Sequence, residues 1–552
     1  MKQKFNKNKQ GNNFSHNKKF HPPRNFEDRQ REEAKLWALE KINPSVVGQR
    51  FVIKAIIDSV NQTSGPTLFS VSDGTGTLVL KGFESPGERA YPHIKESDAI
   101  EAVVQINEFN GMLEGEIRKI ALLDTEKTAA FKKNLEIIER ERSTPPKVDF
   151  LIQSPILEKL KDSFIKAATE IRLAIIQSRP IIVRHHNDAD GYSAGFALER
   201  AILPLIEKHH GPGKAAWEFY LRAPCAAPFY EIDDSIRDTA MSLRNAAKFS
   251  NKMPLVIIAD NGSSPEDLMA IKQGKVHGSK FIVIDHHFFD EDVISKEVLA
   301  HINPFLVGEN GSAYSAGMLC TEIARFINAD VKNIVQIAAM AGYADRIDLT
   351  NPHAVATYLK LAESEGYTKT LLSDIATVID FVSSKLKFME AREFIEVIFG
   401  EPRDKQRELV SLLAPYIKHL DAKGLEIAKS AAKVEKIGKT TLQTIFIEEN
   451  FPGFGFFPKP GRAVGLLHDH LKETKNVSAL VTAGIMGSAI TLRATDEANF
   501  SVHELINFIN QKNKHAFAEG GGHKNAGSIT FIPSKQQEIL SLLKEFIKQT
   551  SV

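Results

Sequence analysis

The sequence predicts an α/β fold: a doubly wound parallel-sheet domain, a smaller α/β domain after it, and an all-β barrel before it. Three observations predict this. Between 150 and 350, the β-branched runs PIIVRHH (180–186), PLVIIAD (254–260) and KFIVIDHH (280–287) alternate with helical stretches, the rhythm of a parallel sheet with crossover helices. Between 43 and 125, apolar and polar residues alternate between Gly, Asp and Asn turns, enough for about five short strands closing on themselves. From 426 to 552, strands return around one helix, VHELINFINQK.

Taken in order, residues 1–26 hold seven Lys or Arg, no acid, and four phenylalanines. Such a stretch buries no core and is expected to be disordered. Its cations and rings suit phosphates and bases, although a plain solubilising tail has the same composition. Residues up to 42 carry helical periodicity and lead into the barrel. Within 43–125, DGTGTLVLKGF and the NGMLEG turn resemble an OB-fold, a frequent carrier of single-stranded nucleic acid. Phe51, Phe69, Phe83 and Phe109 are its ring candidates, most of them expected in the core. Phe83 and Lys81 are the favoured nucleic-acid contacts. Residues 351–425 read as a helical connector. In 426–552, NVSALVTAGIM and GSAITLRA form a hairpin turning near Gly487, and GGGHKNAGSITFI reads as a glycine loop running into a strand. The segment NFPGFGFFPKPGR (450–462) combines phenylalanines with cations. Phe456 and Lys459 in it are candidate strand contacts, unless the loop simply pins two domains together.

Composition sets limits. The 552 residues are 43% hydrophobic and 25% charged, with a net charge of +1, an ordinary core-forming balance. The two cysteines, Cys225 and Cys320, match no zinc or disulfide pattern, which points to a reducing, cytoplasmic setting. No run reaches the ~18–20 apolar residues of a membrane span, and the basic N-terminus has no apolar signal-peptide region.

The chemistry collects at the strand ends, where open α/β sheets bind ligands. The first run ends in His186, Asp188 and Asp190, the second in Asp260, the third in Asp285, His286 and His287. Asp345 follows an apolar helix in AAMAGYADRIDL. A lone Asp at a strand end is ordinarily a helix cap, but four such endings on successive units are not explained that way. Oxygen donors with imidazole and no thiolate suit Mn²⁺, Mg²⁺ or Zn²⁺. So many carboxylates at one point would repel one another without cations. Two ions bridged by one carboxylate would use the whole set.

HNDADG, VIIADNG, VIDHH and GYADRIDL resemble the four motifs of the DHH phosphoesterase superfamily. GGGHKNAG resembles the signature of its companion DHHA1 domain, and GSAITLRA the strand there that carries a substrate-binding arginine. The resemblance runs from about 180 to 552. The barrel placed before it makes the chain most similar to archaeal RecJ-like proteins. That likeness implies two divalent ions, Mn²⁺ ahead of Mg²⁺, with His186, Asp188, Asp190, Asp260, His286 and Asp345 as ligands. Asp260 bridges, His287 leans toward the scissile phosphate, and Asp285 binds metal or orients a histidine. Many bacterial relatives have an aspartate where His186 stands, or use a histidine where Arg184 stands, which leaves the roles of His185 and His186 open. Arg493, Gly521, Gly522 and His523 would hold substrate phosphates. The activity implied is an exonuclease on single-stranded DNA or RNA, with replication or repair proteins as partners. The alternatives are a small-substrate phosphodiesterase and a replication-complex scaffold.

Overall fold

The computed structural model describes residues 35–550 except 86, 212, 226, 250, 387–390 and 452–457. The basic tail and Phe456 lie outside the described residues. Over 35–42 the expected helix is absent: Leu36 bridges Val52, and Leu39–Lys41 form one 3₁₀ turn with Leu39 buried in the barrel core. Pairing with the barrel overrides the local helical pattern.

The first domain is a closed barrel of β1 (Arg50–Gln62), β2 (Thr67–Ser72), β3 (Thr77–Gly82), β4 (Ala99–Phe109) and β5 (Met112–Leu122), ordered β1-β2-β3-β5-β4. Alternate residues of β3 are buried, as a strand with one wet face requires. Phe51 and Phe69 fill the core, whereas Phe83 and Phe109 are exposed. Lys81 pairs with Glu114 and lies 4.4 Å from the centre of the Phe109 ring.

Helices Thr125–Ser143 and Pro155–Ile176 lead to β6 (Ile181–His185), β7 (Tyr220–Pro224), β8 (Leu255–Ala259), β9 (Lys280–Ile284) and β10 (Ala300–Ile302). These form an all-parallel sheet ordered β10-β9-β8-β6-β7. β6 and β8 are buried on both faces: Val183 and Ile257 join one core cluster, Ile182 and Val256 another. That is why the runs are continuous rather than alternating. The order reverses between β6 and β8, the switch point at which such sheets open a crevice.

Helices continue through Arg403–Ala431. A six-stranded sheet follows, of β11 (Lys433–Ile437), β12 (Thr440–Phe446), β13 (Leu480–Ile485), β14 (Ala489–Ala494), β15 (Glu519–His523) and β16 (Ala526–Thr530), ordered β11-β12-β13-β14-β16-β15. The glycine stretch is therefore an edge strand rather than a loop. Gly522 pairs with Gly527, and a Cβ on Gly520 would stand 2.1 Å from the Ser528 carbonyl. Only glycine lets the hairpin close this tightly.

The barrel docks at the amino-terminal edge of the parallel sheet. Lys252, just before β8, bonds Asp58 at 3.0 Å and the Gln177 carbonyl at 2.6 Å. The Thr77 hydroxyl donates to the carbonyl of His209 at 3.2 Å. His209 ends the helix Ala189–His210 whose first turn holds Asp190. At 1.5 Å per residue, about 30 Å separates those two points. Among the described residues no helix is long and apolar enough to cross a membrane.

Candidate metal centre and substrate cleft

Each acidic or imidazole group at the carboxyl edge is fixed by its own strand or helix start. β6 ends at His185, and the chain turns through His186 into the helix that Asp188 caps, its carboxylate accepting from Gly191 N at 2.9 Å. Gly191 passes so close that a Cβ would meet the His186 carbonyl at 2.2 Å. Asp190, one residue further into that helix, accepts from Ala316 N at 2.9 Å and Gly317 N at 3.1 Å. Asp260 follows β8 with φ +61°, a left-handed backbone that a non-glycine residue holds only where its surroundings impose it. Asp285 follows β9 and accepts from the backbone of Ser263, His286 and His287.

These placements converge. His186 Nδ1 lies 2.7 Å from Asp188 Oδ2 and 3.6 Å from Asp260 Oδ2. His286 Nε2 lies 3.3 Å from Asp260 Oδ1, 3.6 Å from Asp345 Oδ2 and 3.9 Å from Asp190 Oδ2. His286 Nδ1 donates to the Gly311 carbonyl at 3.3 Å, which leaves Nε2 to face the carboxylates and to serve any cation there. Four groups of three result among the described residues: His186–Asp188–Asp260, Asp190–Asp260–His286, Asp260–Asp285–His287 and His286–His287–His523. In each, the candidate ligand atoms lie within 4.8 Å of one another, and Asp260 is common to the first three. The buried Asp260 Oδ2 accepts no hydrogen bond, a cost that a cation would remove. The residues present thus fit two divalent ions.

The charge balance shows the same crowding. Burial and the neighbouring Asp260 raise Asp190 well above the carboxylate range. Burial raises Asp345 to about 6 against the opposing pull of His286, with Asp260 and Asp188 adding to the rise. Burial opposes charge on His186, yet Asp188 and Asp260 raise it well above the usual imidazole range. The His287 ring donates Nδ1–H to Asp285 at 2.8 Å. Burial opposes its charge too, but Asp285 prevails and raises it. Asp285, desolvated but facing His287 and His286, falls below the usual range.

The second domain closes the site. His523 from β15 stands 3.7 Å from Asp345 and its ring stacks 4.8 Å from that of His287. Burial and the two histidines push its pKa well down, so it presents a neutral ring. Arg493 from β14 forms no ion pair among the described residues and lines the cleft of about 320 Å³ between the domains. Gly521 lines it too, and a Cβ there would meet nothing within 4 Å, so its face of the strand is open to a ligand.

His185 is settled by packing. It is fully buried against Gly195 and Arg222, its Nδ1 donating to the His186 carbonyl at 2.7 Å, and burial holds its pKa down to about 3. Arg184 is bound to Asp238, so neither residue reaches the site. Lys459 spans the domain junction, donating to the Asn187 carbonyl at 2.9 Å and Ser383 Oγ at 3.0 Å. A strand would have to displace those bonds to use it. Two supporting residues lie beyond the motifs. Asn303, after β10, donates to the His287 carbonyl and to Ser263 Oγ, both at 3.0 Å. Asp380 accepts from Ala189 N at 3.0 Å. Asn303 also ends a parallel strand, but β10 has only three residues and gives no apolar run to find.

No protein-family model matches the chain. It is 32% identical over 545 residues to an uncharacterized protein of Methanocaldococcus jannaschii, across 94% of this chain and 71% of that relative. A solved structure described as the DHH domain of a member of a ribosomal-protein family superposes with a TM-score of 0.72 at 36% identity, over 77% of this chain and 99% of that one. RecJ from Thermus thermophilus, in complex with Mn²⁺, has a TM-score of 0.48 at 15% identity, over 75% of this chain and 59% of RecJ. With its four carboxylate–histidine motifs and its glycine strand assembled around one cleft, the chain belongs to the family of DHH-domain proteins.

Proposed function

We propose that the protein is a metal-dependent phosphodiesterase acting as an exonuclease on single-stranded nucleic acid. The observation that carries this reading is Asp260, one buried carboxylate common to three groups of candidate ligands, faced across the cleft by Arg493, which has no ion pair among the described residues, and His523 of the second domain. Two bound divalent ions, Mn²⁺ by preference, would supply charge neutralisation and an activated water. The chain's own residues do the rest. Arg493 offers a cation to a phosphate oxygen. Gly521 and Gly522 allow close backbone approach. His287, its Nδ1–H held by Asp285, presents Nε2 toward the substrate phosphate; with Nε2 also protonated, a state that Asp285 favours, it can donate a proton there. Asn303 holds the His287 carbonyl and so fixes that ring's backbone.

The test uses end-labelled DNA and RNA strands with Mn²⁺, Mg²⁺ or EDTA. Metal-dependent release of mononucleotides from one end is expected, and it also fixes sugar preference and polarity. Hydrolysis confined to strands of about two to five nucleotides would move the protein to the small-substrate class.

A further inference from the structure

The metal cluster alone does not distinguish a nucleotide from any other phosphate ester or anhydride; the rest of the cleft does. Phe288 directly follows His287 and lines the same 320 Å³ cleft as the cluster, together with Phe229 from the turn after β7 and His503 from the second domain. The Phe288 ring packs edge-on to Phe305 at 5.3 Å and lies 5.5 Å from His503. His503 Nε2 donates to the Gly522 carbonyl at 3.1 Å, which fixes the His503 ring beside the glycine strand where Phe288 meets it across the domain junction. Phe288 and Phe229 are half-buried, with surface left to offer. Among the described residues, Arg493 is the one Lys or Arg in that lining.

A neighbouring compartment of about 390 Å³ shares Asp345, Arg493 and His523 with the cleft and adds Arg346 and Lys472 together with Asp469, Asp496 and Glu497, with Arg346 3.2 Å from Asp469. Its described lining contains no Phe, Tyr or Trp. The phenylalanine rings therefore line the cleft and not its neighbour, where the described carboxylates offset the cations. A polyphosphate carries charge on every unit and would need cations on both sides. A nucleotide pairs one charged group with one flat apolar ring and needs a cation beside a ring.

We propose that Phe288, with Phe229 and His503, forms a nucleobase subsite, in which the base adjoining the scissile phosphate stacks on the Phe288 ring. This rests on the phosphodiesterase reading and deepens it by assigning substrate class to one side of the cleft.

The test compares an end-labelled strand having all its bases with one carrying abasic residues at both terminal positions, with Mn²⁺. The wild type should cleave the intact strand roughly tenfold better in kcat/KM, the size of one base–ring stack. Phe288→Ala and Phe288→Leu should lose most of that advantage through a higher KM on the intact strand, with a smaller loss on the abasic one. Phe288→Trp should keep it. Equal cleavage of both strands by the wild type, or equal losses on both in the variants, overturns the subsite and leaves the nuclease reading standing. Absence of metal-dependent cleavage of either strand by the wild type overturns the phosphodiesterase reading and the subsite with it.

Discussion

The two ends of the helix Ala189–His210 sit in opposite electrostatic settings. At its start, Asp190, Asp260 and Asp345 crowd together, and Asp260 Oδ2 accepts no hydrogen bond. At its end, where the barrel docks, two contacts between the domains are matched, Lys252 with Asp58 and Thr77 with the His209 carbonyl, although the buried His209 Nε2 finds no hydrogen-bond partner. Matched polar groups hold domains together. A crowd of buried carboxylates, one oxygen of which accepts no hydrogen bond, is a cost that packing does not explain and that cations would relieve. The distance adds a second lesson. A site about 30 Å from the barrel can share a strand with it only when that strand is long, on the order of nine nucleotides at the ~3.4 Å spacing of stacked DNA. The barrel would then raise the effective concentration of long substrates and leave short ones unaffected.

Removing the shared carboxylate should break the contrast most sharply. Asp260→Ala is expected to lower kcat by at least ~10³-fold while the metal-free protein melts no lower than the wild type, since a buried carboxylate oxygen that accepts no hydrogen bond is removed. Unfolding, or retained turnover, would show Asp260 to be structural. Next in size, Arg493→Ala or His523→Ala should raise KM about ten- to hundredfold, the value of a charge-assisted hydrogen bond or two, with metal loading unchanged. At the docked end the effect should appear in stability instead. Lys252→Ala leaves Asp58 buried without its cation and should cost about 1–3 kcal/mol, read as a lower melting temperature with unchanged hydrolysis of short strands.

The smallest effect is a pH dependence. Burial and the nearby Arg142 hold His209 down to about 4. The folded chain therefore resists a proton that the unfolded chain accepts near pH ~6.5. Stability from this group is complete above about pH 6.5 and declines as pH falls toward about 4. His209→Gln should flatten that decline in melting temperature between roughly pH 7 and 5. An identical decline in the variant would show that His209 does not contribute to it.

Much of the catalytic end was legible because chemistry there is written into strand ends. Runs buried on both faces are conspicuous, and the residues just past them have few other reasons to be acidic. The choice between His185 and His186 was not legible. It turns on whether the strand stops one residue earlier, and His185 spends its ring against Gly195 and Arg222. The glycine stretch looked like a loop because glycines weaken a strand pattern, yet pairing with β16 holds it in the sheet. The docking edge of the barrel was invisible, since Lys252, Asp58 and Thr77 are ordinary surface residues until the fold brings them together. Phe288 was overshadowed by the histidines before it.

Everything at the catalytic end depends on Asp260 joining two ion sites. Calorimetric titration of the full chain with Mn²⁺, wild type against Asp260→Asn, tests this without relying on turnover. Two ions per wild-type chain are expected, and in the variant at least one site lost and the other weakened. A single ion in the wild type, or two ions bound equally well by the variant, would contradict the shared-carboxylate centre.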